Sequence, residues 1–161
     1  MNTRRAMVII GWATLLAGGL DFTFATLSFF FSGGSVAKLW QFVASGIFGR
    51  AAYSMGTVGI LCGVLFHFSI MAIFSTFIFL VYGKISAVEK WPVLAGLVYG
   101  ICIWLVMNLL VVPLSRAGNG LITLKFSSIM NADFVVHMLL GVVLVLVMRQ
   151  SLHRELSPAA H

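Results

Sequence analysis

Charged side chains are scarce in this chain, and acidic side chains are the scarcest. Only 9% of the 161 residues are charged, and Asp and Glu together number four. Soluble domains are roughly one quarter charged and about half apolar, whereas 61% of this chain is hydrophobic. This composition excludes a soluble enzyme and predicts one compact unit embedded in a membrane.

Cysteines and catalytic signatures are also few. The two cysteines, Cys62 and Cys102, both fall within apolar segments, which argues against a disulfide and gives little support to a metal site. We expect both to be small, buried apolar side chains. The sequence has no glycine-rich phosphate loop, nucleophile elbow or paired carboxylates. We therefore predict no catalytic residues, and the sequence favours a protein without enzymatic activity.

Long apolar segments are what the chain does have. Four of them, at about residues 6–31, 56–83, 92–112 and 132–148, each approach the ~20 residues with which a helix crosses a bilayer. The first contains Asp21 and is too long for the apolar part of a cleaved signal peptide, so we expect an uncleaved span. The predicted fold is all-α: a single polytopic membrane domain, residues 1–161, built as a bundle of four transmembrane helices.

The segment between the first two spans has a different pattern. Its apolar residues surround a narrow polar line of Lys38, Gln41 and Ser45 at helical spacing. About sixteen residues are too few to cross a bilayer comfortably. We predict an amphipathic helix at about residues 35–50 that is interfacial or re-entrant. A fifth crossing is the alternative.

Basic residues flank the spans instead of forming a cluster. The net charge is +6 at pH 7, but no Lys/Arg run tracks phosphates, so we expect no nucleic-acid partner. Flanking cations set topology and contact lipid head groups. Four spans place both termini on one side of the membrane. Six cations lie on that side: Arg4, Arg5, Lys84, Lys90, Arg149 and Arg154. Four lie on the other side: Lys38, Arg50, Arg116 and Lys125. This bias predicts that both termini are cytoplasmic.

Each predicted span carries one polar residue that is costly in lipid. The four are Asp21, His67, Asn108 and His137. Small residues share their helix faces and let helix backbones approach closely in lipid; the glycines among them are Gly59, Gly63, Gly96, Gly100 and Gly141. We expect these faces to form the interior of the bundle, while bulkier apolar side chains face the lipid.

Their depths place the four polar residues near one another. At 1.5 Å per residue, Asn108 and His137 lie about 8 Å from the end opposite the termini, and the other two lie about 15 Å from it. Gln41 and Arg50, on the first connector, are expected above them. The predicted pocket, which opens toward the outside, comprises Asp21, His67, Asn108, His137, Gln41 and Arg50. Our leading hypothesis is that it binds or passes a proton or a small solute.

Simpler explanations exist for some of these residues. A hydrogen bond to a neighbouring helix explains the presence of Asn108 in its span equally well. Asp133 precedes His137 by four residues, and the two form either a proton relay or a quiet pair near the membrane surface. Asp21 has a functional role or a purely structural partner, and in either case it is protonated, paired with a cation or hydrated.

Other hypotheses concern cofactors and partners. A b-type haem between His67 and His137 would make the protein a membrane redox subunit, although their estimated depths differ by about 8 Å. A metal site of these histidines with Asp21 has suitable ligand types but no support from spacing. The third hypothesis is a structural or assembly partner, because glycine-lined helices pack closely against one another in membranes. It predicts a homo-oligomer or a complex with another membrane protein, within the lipid bilayer.

Short motifs in the last two-thirds of the chain resemble a family of small bacterial inner-membrane proteins of uncharacterised function. The motifs are Gly96–Gly100, Val106–Asn108, Val112–Ser115 and the fourth-span His137, with Gln41–Gly49 and Leu65–Phe68. The YagU-like proteins are such a family. The resemblance implies a multi-pass protein of the bacterial inner membrane and no particular mechanism.

Overall fold

A computed structural model describes residues 2–118 and 132–156, with side chains through residue 153. Every regular element in these ranges is helical. In chain order they are α1 (Thr3–Phe31), α2 (Val36–Phe48), a 3-10 helix (Gly49–Ser54), α3 (Thr57–Val81), the short α4 (Ser86–Lys90), α5 (Pro92–Leu114) and α6 (Ala132–Leu156). Lys125 and the side chain of Arg154, which entered the charge comparison, lie outside the described parts.

Four of these helices, α1, α3, α5 and α6, are long and apolar enough to cross a membrane. This confirms the predicted all-α bundle of four spans. The helices α5 and α6 run somewhat beyond the predicted boundaries, to Leu114 and Leu156. The helix α2 has 13 residues, about 20 Å of helix, which is too short to cross the hydrocarbon core.

The spans pack side by side in the order α3, α1, α6 and α5. The helix α1 contacts both α3 and α6, and α6 contacts α5 along its length. Neighbouring spans are antiparallel, so one end of the bundle holds α4 and both termini of the helical chain. We call this the terminal end, and the opposite end, which holds α2 and the 3-10 helix, the α2 end. The chain reverses after α2 at Gly49, whose φ of 59° favours glycine.

Glycines let two helix pairs approach closely. In the α5–α6 pair, Gly100 lies against the backbone of His137, and Gly96 lies against Gly141. A side chain at Gly100 would overlap the backbone oxygen of His137. The glycines of α5 and α6 therefore lie at a close contact between two spans, which is the packing role predicted for them.

The glycines of α3 have a different partner from the one predicted. Gly63 lies against the backbone of Trp40, and Gly59 against Gln41 and the backbone of Ala52. Their neighbours belong to α2 and the 3-10 helix, not to another span. Gln41 is buried against Gly59, where the absence of a side chain on the glycine leaves room for it.

The apolar core fills the half of the bundle toward the terminal end. Its buried residues are Ile9, Ala13, Ala17, Met71, Ile78, Tyr82, Val88, Ile103, Leu140, Leu144, Val145 and Met148. Many other large apolar side chains are exposed on the spans, as expected for a surface that contacts lipid. Cys102 is among the exposed residues and Cys62 is half-buried, so the expectation that both cysteines are buried was wrong. Their helix positions turn them outward.

Replacing Gly100 by alanine should destabilise the bundle, because its new Cβ would lie 2.6 Å from the Cα of Met138. We expect a loss of roughly 1–3 kcal/mol in the free energy of unfolding, measured as a lower thermal midpoint in detergent. The matched control is Gly19→Ala, since nothing lies within 4 Å of the corresponding Cβ position. Equal midpoints for the two variants would contradict the close α5–α6 contact.

Candidate functional site

A cavity of about 290 Å³ lies between the spans, on the α2 side of the apolar core. All four spans and α2 contribute to its walls. The polar residues that line it are Asp21 from α1, His67 from α3, Asn108 from α5, and Asp133 and His137 from α6. The structure thus brings to one cavity the polar residue singled out in each span, together with Asp133.

The helices α1 and α3 form one wall and hold Asp21 beside His67. The Nε2 atom of His67 lies 3.0 Å from the backbone oxygen of Gly18, and its Nδ1 atom lies 3.8 Å from Oδ2 of Asp21. The side chains are only 11% and 16% exposed. A charge on either group is therefore shielded from bulk water and depends on the other group for its stabilisation.

The contact with Gly18 determines where His67 carries its proton. A carbonyl oxygen only accepts hydrogen bonds, so the Nε2 atom of His67 must be the donor. The Nδ1 atom then faces the carboxyl group of Asp21. A neutral ring presents an accepting Nδ1 and favours a protonated carboxyl group, because a carboxylate would place two acceptors face to face. A charged ring presents Nδ1–H and favours a carboxylate that accepts from it. One proton shared by the two groups would therefore let them form a hydrogen bond once the separation of 3.8 Å closes.

Aromatic rings surround His67 on the other sides. Trp40 from α2 and Phe68 make edge-to-face contacts with the imidazole, at centroid distances of 5.5 and 5.0 Å. Phe22 stacks on Trp40 at 4.4 Å. These rings exclude water from most of the imidazole, which strengthens its interaction with Asp21. Trp40 and Phe22 were not among the predicted site residues, because their proximity depends on how α2 folds back over the spans.

The helix α6 supplies a second carboxyl–imidazole pair. The Nδ1 atom of His137 lies 2.8 Å from the backbone oxygen of Asp133 and 3.5 Å from its Oδ1 atom. The indole nitrogen of Trp104 donates to Oδ2 of Asp133 at 3.1 Å. The carboxylate is thus held by α5, while 49% of the Asp133 side chain remains exposed. The cavity reaches the surface beside this residue.

The hydrogen bond to the backbone leaves Nε2 of His137 as the accepting nitrogen when the ring is neutral. The two histidines therefore have opposite donor atoms. His137 and Asp21 also lie within electrostatic reach of each other, although they belong to different helices. Together the two pairs provide the cavity with two carboxyl groups and two imidazoles that can exchange protons.

Asn108 occupies an irregular stretch of α5. Residues Met107–Val111 form a π-helical turn, and Pro113 lies two residues beyond it. Proline lacks the N–H group and crowds the preceding turn, which the wider π turn accommodates. The side chain of Asn108 donates to the backbone oxygen of Trp104 at 2.9 Å. This local bond satisfies the amide without a partner from another helix, which differs from the interhelical bond considered for it.

Gln41 and Arg50 lie apart from the cavity, which differs from the prediction. The amide of Gln41 donates to the backbone oxygen of Gly56 at 3.2 Å and so connects α2 to the start of α3. Arg50 is exposed on the 3-10 helix and lines a separate surface pocket with Arg116. Their positions depend on the turn at Gly49, which the helical pattern of α2 does not predict.

The geometry does not fit a haem between the two histidines. Axial ligation needs a free ring nitrogen on each histidine facing a common plane, but the Nε2 atom of His67 is engaged by Gly18. Its Nδ1 atom faces Asp21. Among the described residues, no group of three or more His, Cys, Asp or Glu side chains could hold a metal ion.

These features define a class: an α-helical membrane protein with four spans and a partly polar cavity between them. The chain matches no protein-family model, no curated protein and no solved structure. The residues of the cavity itself are therefore the basis for any functional assignment.

The two histidines should adopt opposite neutral tautomers. We expect His137 to carry its proton on Nδ1 and His67 on Nε2, because each of these atoms faces a backbone oxygen. Ring nitrogen chemical shifts in histidine-labelled protein at alkaline pH measure this directly. The variants His67→Gln and His137→Gln assign the signals. The same tautomer at both positions would contradict the geometry.

Proposed function

We propose that this membrane protein binds a proton in the cavity and passes it between the Asp21–His67 and Asp133–His137 pairs. The observation that carries the proposal is the presence of two carboxyl–imidazole pairs in one cavity. Ionisable residues within spans are costly and are typical of proton relays and solute pathways. A single structural ion pair would need neither the second pair nor a cavity beside it.

The uneven exposure of the two pairs supports a direction for proton entry. Asp133 is half-exposed, whereas Asp21 and His67 are largely buried. A proton entering on this side would bind Nε2 of His137, the accepting nitrogen, and the Asp133 carboxylate beside Nδ1 would stabilise the resulting imidazolium before the proton passes to the inner pair. The distance of 3.8 Å between Nδ1 of His67 and Oδ2 of Asp21 is closed by a bridging water or a small rotation.

The apolar half of the bundle argues against an open channel. Buried side chains such as Met71, Ile103 and Leu140 fill the bundle on the terminal side of the cavity. Passage to that side therefore requires a conformational change, as in a carrier. We propose that the α2 end faces outward and that both termini are cytoplasmic, in agreement with the distribution of cations. The resemblance to YagU-like proteins supports a bacterial inner membrane, and a homo-oligomer is compatible with the exposed apolar surface.

Proton uptake into liposomes tests the proposal. Purified protein would be reconstituted with a trapped pH-sensitive dye, and uptake would be followed after a membrane potential is imposed. We expect Asp21→Asn and His67→Gln each to slow protein-dependent uptake by at least about tenfold, which corresponds to roughly 1.4 kcal/mol in an activation barrier.

Matched controls remove the same chemical groups outside the cavity. Glu89→Gln removes an exposed carboxylate from α4, and His153→Gln removes an exposed histidine from the end of α6. Both should retain wild-type uptake. Uptake no faster than in empty liposomes, or full uptake by the Asp21→Asn/His67→Gln double variant, would refute the proposal.

A further inference from the structure

We propose that the protein binds an anionic phospholipid at the α2 end, with the phosphate beside Arg50 and Arg116 and one acyl chain in a groove between α3 and α5. This site lies outside the proton-handling residues and does not depend on the proposed function. It combines a cationic pocket and an apolar groove that meet at the same place on the bundle.

The apolar part is a groove of about 270 Å³ on the side where α3 and α5 are separated. Ile70 and Ile73 from α3 and Met107 and Val111 from α5 line it, and Phe42 of α2 lies at its α2 end. Both helices are membrane spans, so hydrocarbon chains are the neighbours of this groove in a bilayer. An acyl chain fills such a groove without burying any polar group.

The cationic part is a pocket of about 550 Å³ at the α2 end. Arg50 and Arg116 line it together with Ser45 and Tyr53, and no carboxylate does so among the described residues. Two guanidinium groups without an acidic neighbour favour an anion, and guanidinium geometry suits the paired oxygens of a phosphate. Hydroxyl groups of serine and tyrosine add further donors.

Arg116 is held in place by α2 while keeping donors available. Its backbone N–H donates to the oxygen of Gly46 at 3.0 Å, and its Nη1 atom donates to the oxygen of Ile47 at 3.3 Å. A guanidinium group has five N–H donors, so this single side-chain bond leaves most of them for a ligand. The position of Arg116 is thereby fixed relative to Arg50, which follows α2 directly.

The pocket and the groove are adjacent, and this adjacency favours an amphiphile as the ligand. Ala117 lines both, and Gly46 and Ser115 border the groove where α2 meets the end of α5. The pocket lies where the spans end, which is the level of lipid head groups. Free phosphate would use only the arginines, and a lipid without phosphate would use only the groove. A zwitterionic lipid brings a phosphate to the arginines but also a cation, which offsets the attraction of the two guanidinium charges. A phospholipid with a net negative charge uses both.

Native mass spectrometry of the purified full-length protein would measure binding of phosphatidylglycerol and phosphatidylcholine. We expect the wild type to retain phosphatidylglycerol preferentially. Arg50→Gln/Arg116→Gln should weaken that binding by about tenfold or more, equivalent to roughly 1.4 kcal/mol. Ile73→Trp, which fills the groove, should weaken it as well. The control Lys84→Gln/Lys90→Gln removes two exposed charges from the terminal end and should bind as the wild type does.

Each contrary outcome overturns a defined part of the proposal. Wild-type binding by the arginine double variant excludes a head-group site, and equal retention of the two lipids excludes selection for a net negative charge. Unchanged binding by Ile73→Trp, with displacement of phosphatidylglycerol by inorganic phosphate, indicates a phosphate site without an acyl groove. Arg50→Gln alone provides the test if the double variant fails to fold, because Arg50 is exposed and Arg116 contacts α2. Unchanged binding by this single variant then excludes the head-group site.

Discussion

The close approach of helix backbones at glycine is the constraint on which the rest of the structure depends. Apolar side chains gain little from leaving lipid for another helix, so spans associate where their backbones can make close contact. Gly100 and Gly141 provide that contact between α5 and α6. One turn further toward the α2 end, the same crossing holds the indole of Trp104 within 3.1 Å of Asp133. The cavity wall is therefore a consequence of the glycine contact.

Three polar residues of the cavity are each secured by a hydrogen bond inside the chain. Gly18 holds His67, and Trp104 holds both Asn108 and Asp133, through its backbone oxygen and its indole respectively. These bonds reduce the cost of placing polar groups in a medium that offers no water. In each imidazole, one nitrogen is held by a backbone oxygen. The other nitrogen and the carboxyl groups remain available to exchange protons. The same interactions thus serve packing and define the chemistry of the cavity.

The sequence predicts the four spans because length and hydropathy are local properties of a helix. The depth of Asp21 and His67 also follows from counting residues along α1 and α3, and the structure places both on one cavity. The partners of individual groups do not follow from the sequence in this way. The contact of Gly63 with Trp40 and the orientation of Gln41 depend on how α2 rotates and folds back, which no periodicity within α2 encodes. The bond from Trp104 to Asp133 likewise depends on the rotation of α5 relative to α6.

The central claim is that Asp21 and His67 share one exchangeable proton across the contact between α1 and α3. Infrared spectroscopy of the protein in lipid tests it most directly. The carboxyl C=O band of Asp21 is assigned by its loss in Asp21→Asn and is then followed as a function of pH. The account predicts that the midpoint of this band shifts in His67→Gln and stays unchanged in His153→Gln. An identical midpoint in His67→Gln and the wild type would show that the two groups titrate independently and would contradict the account.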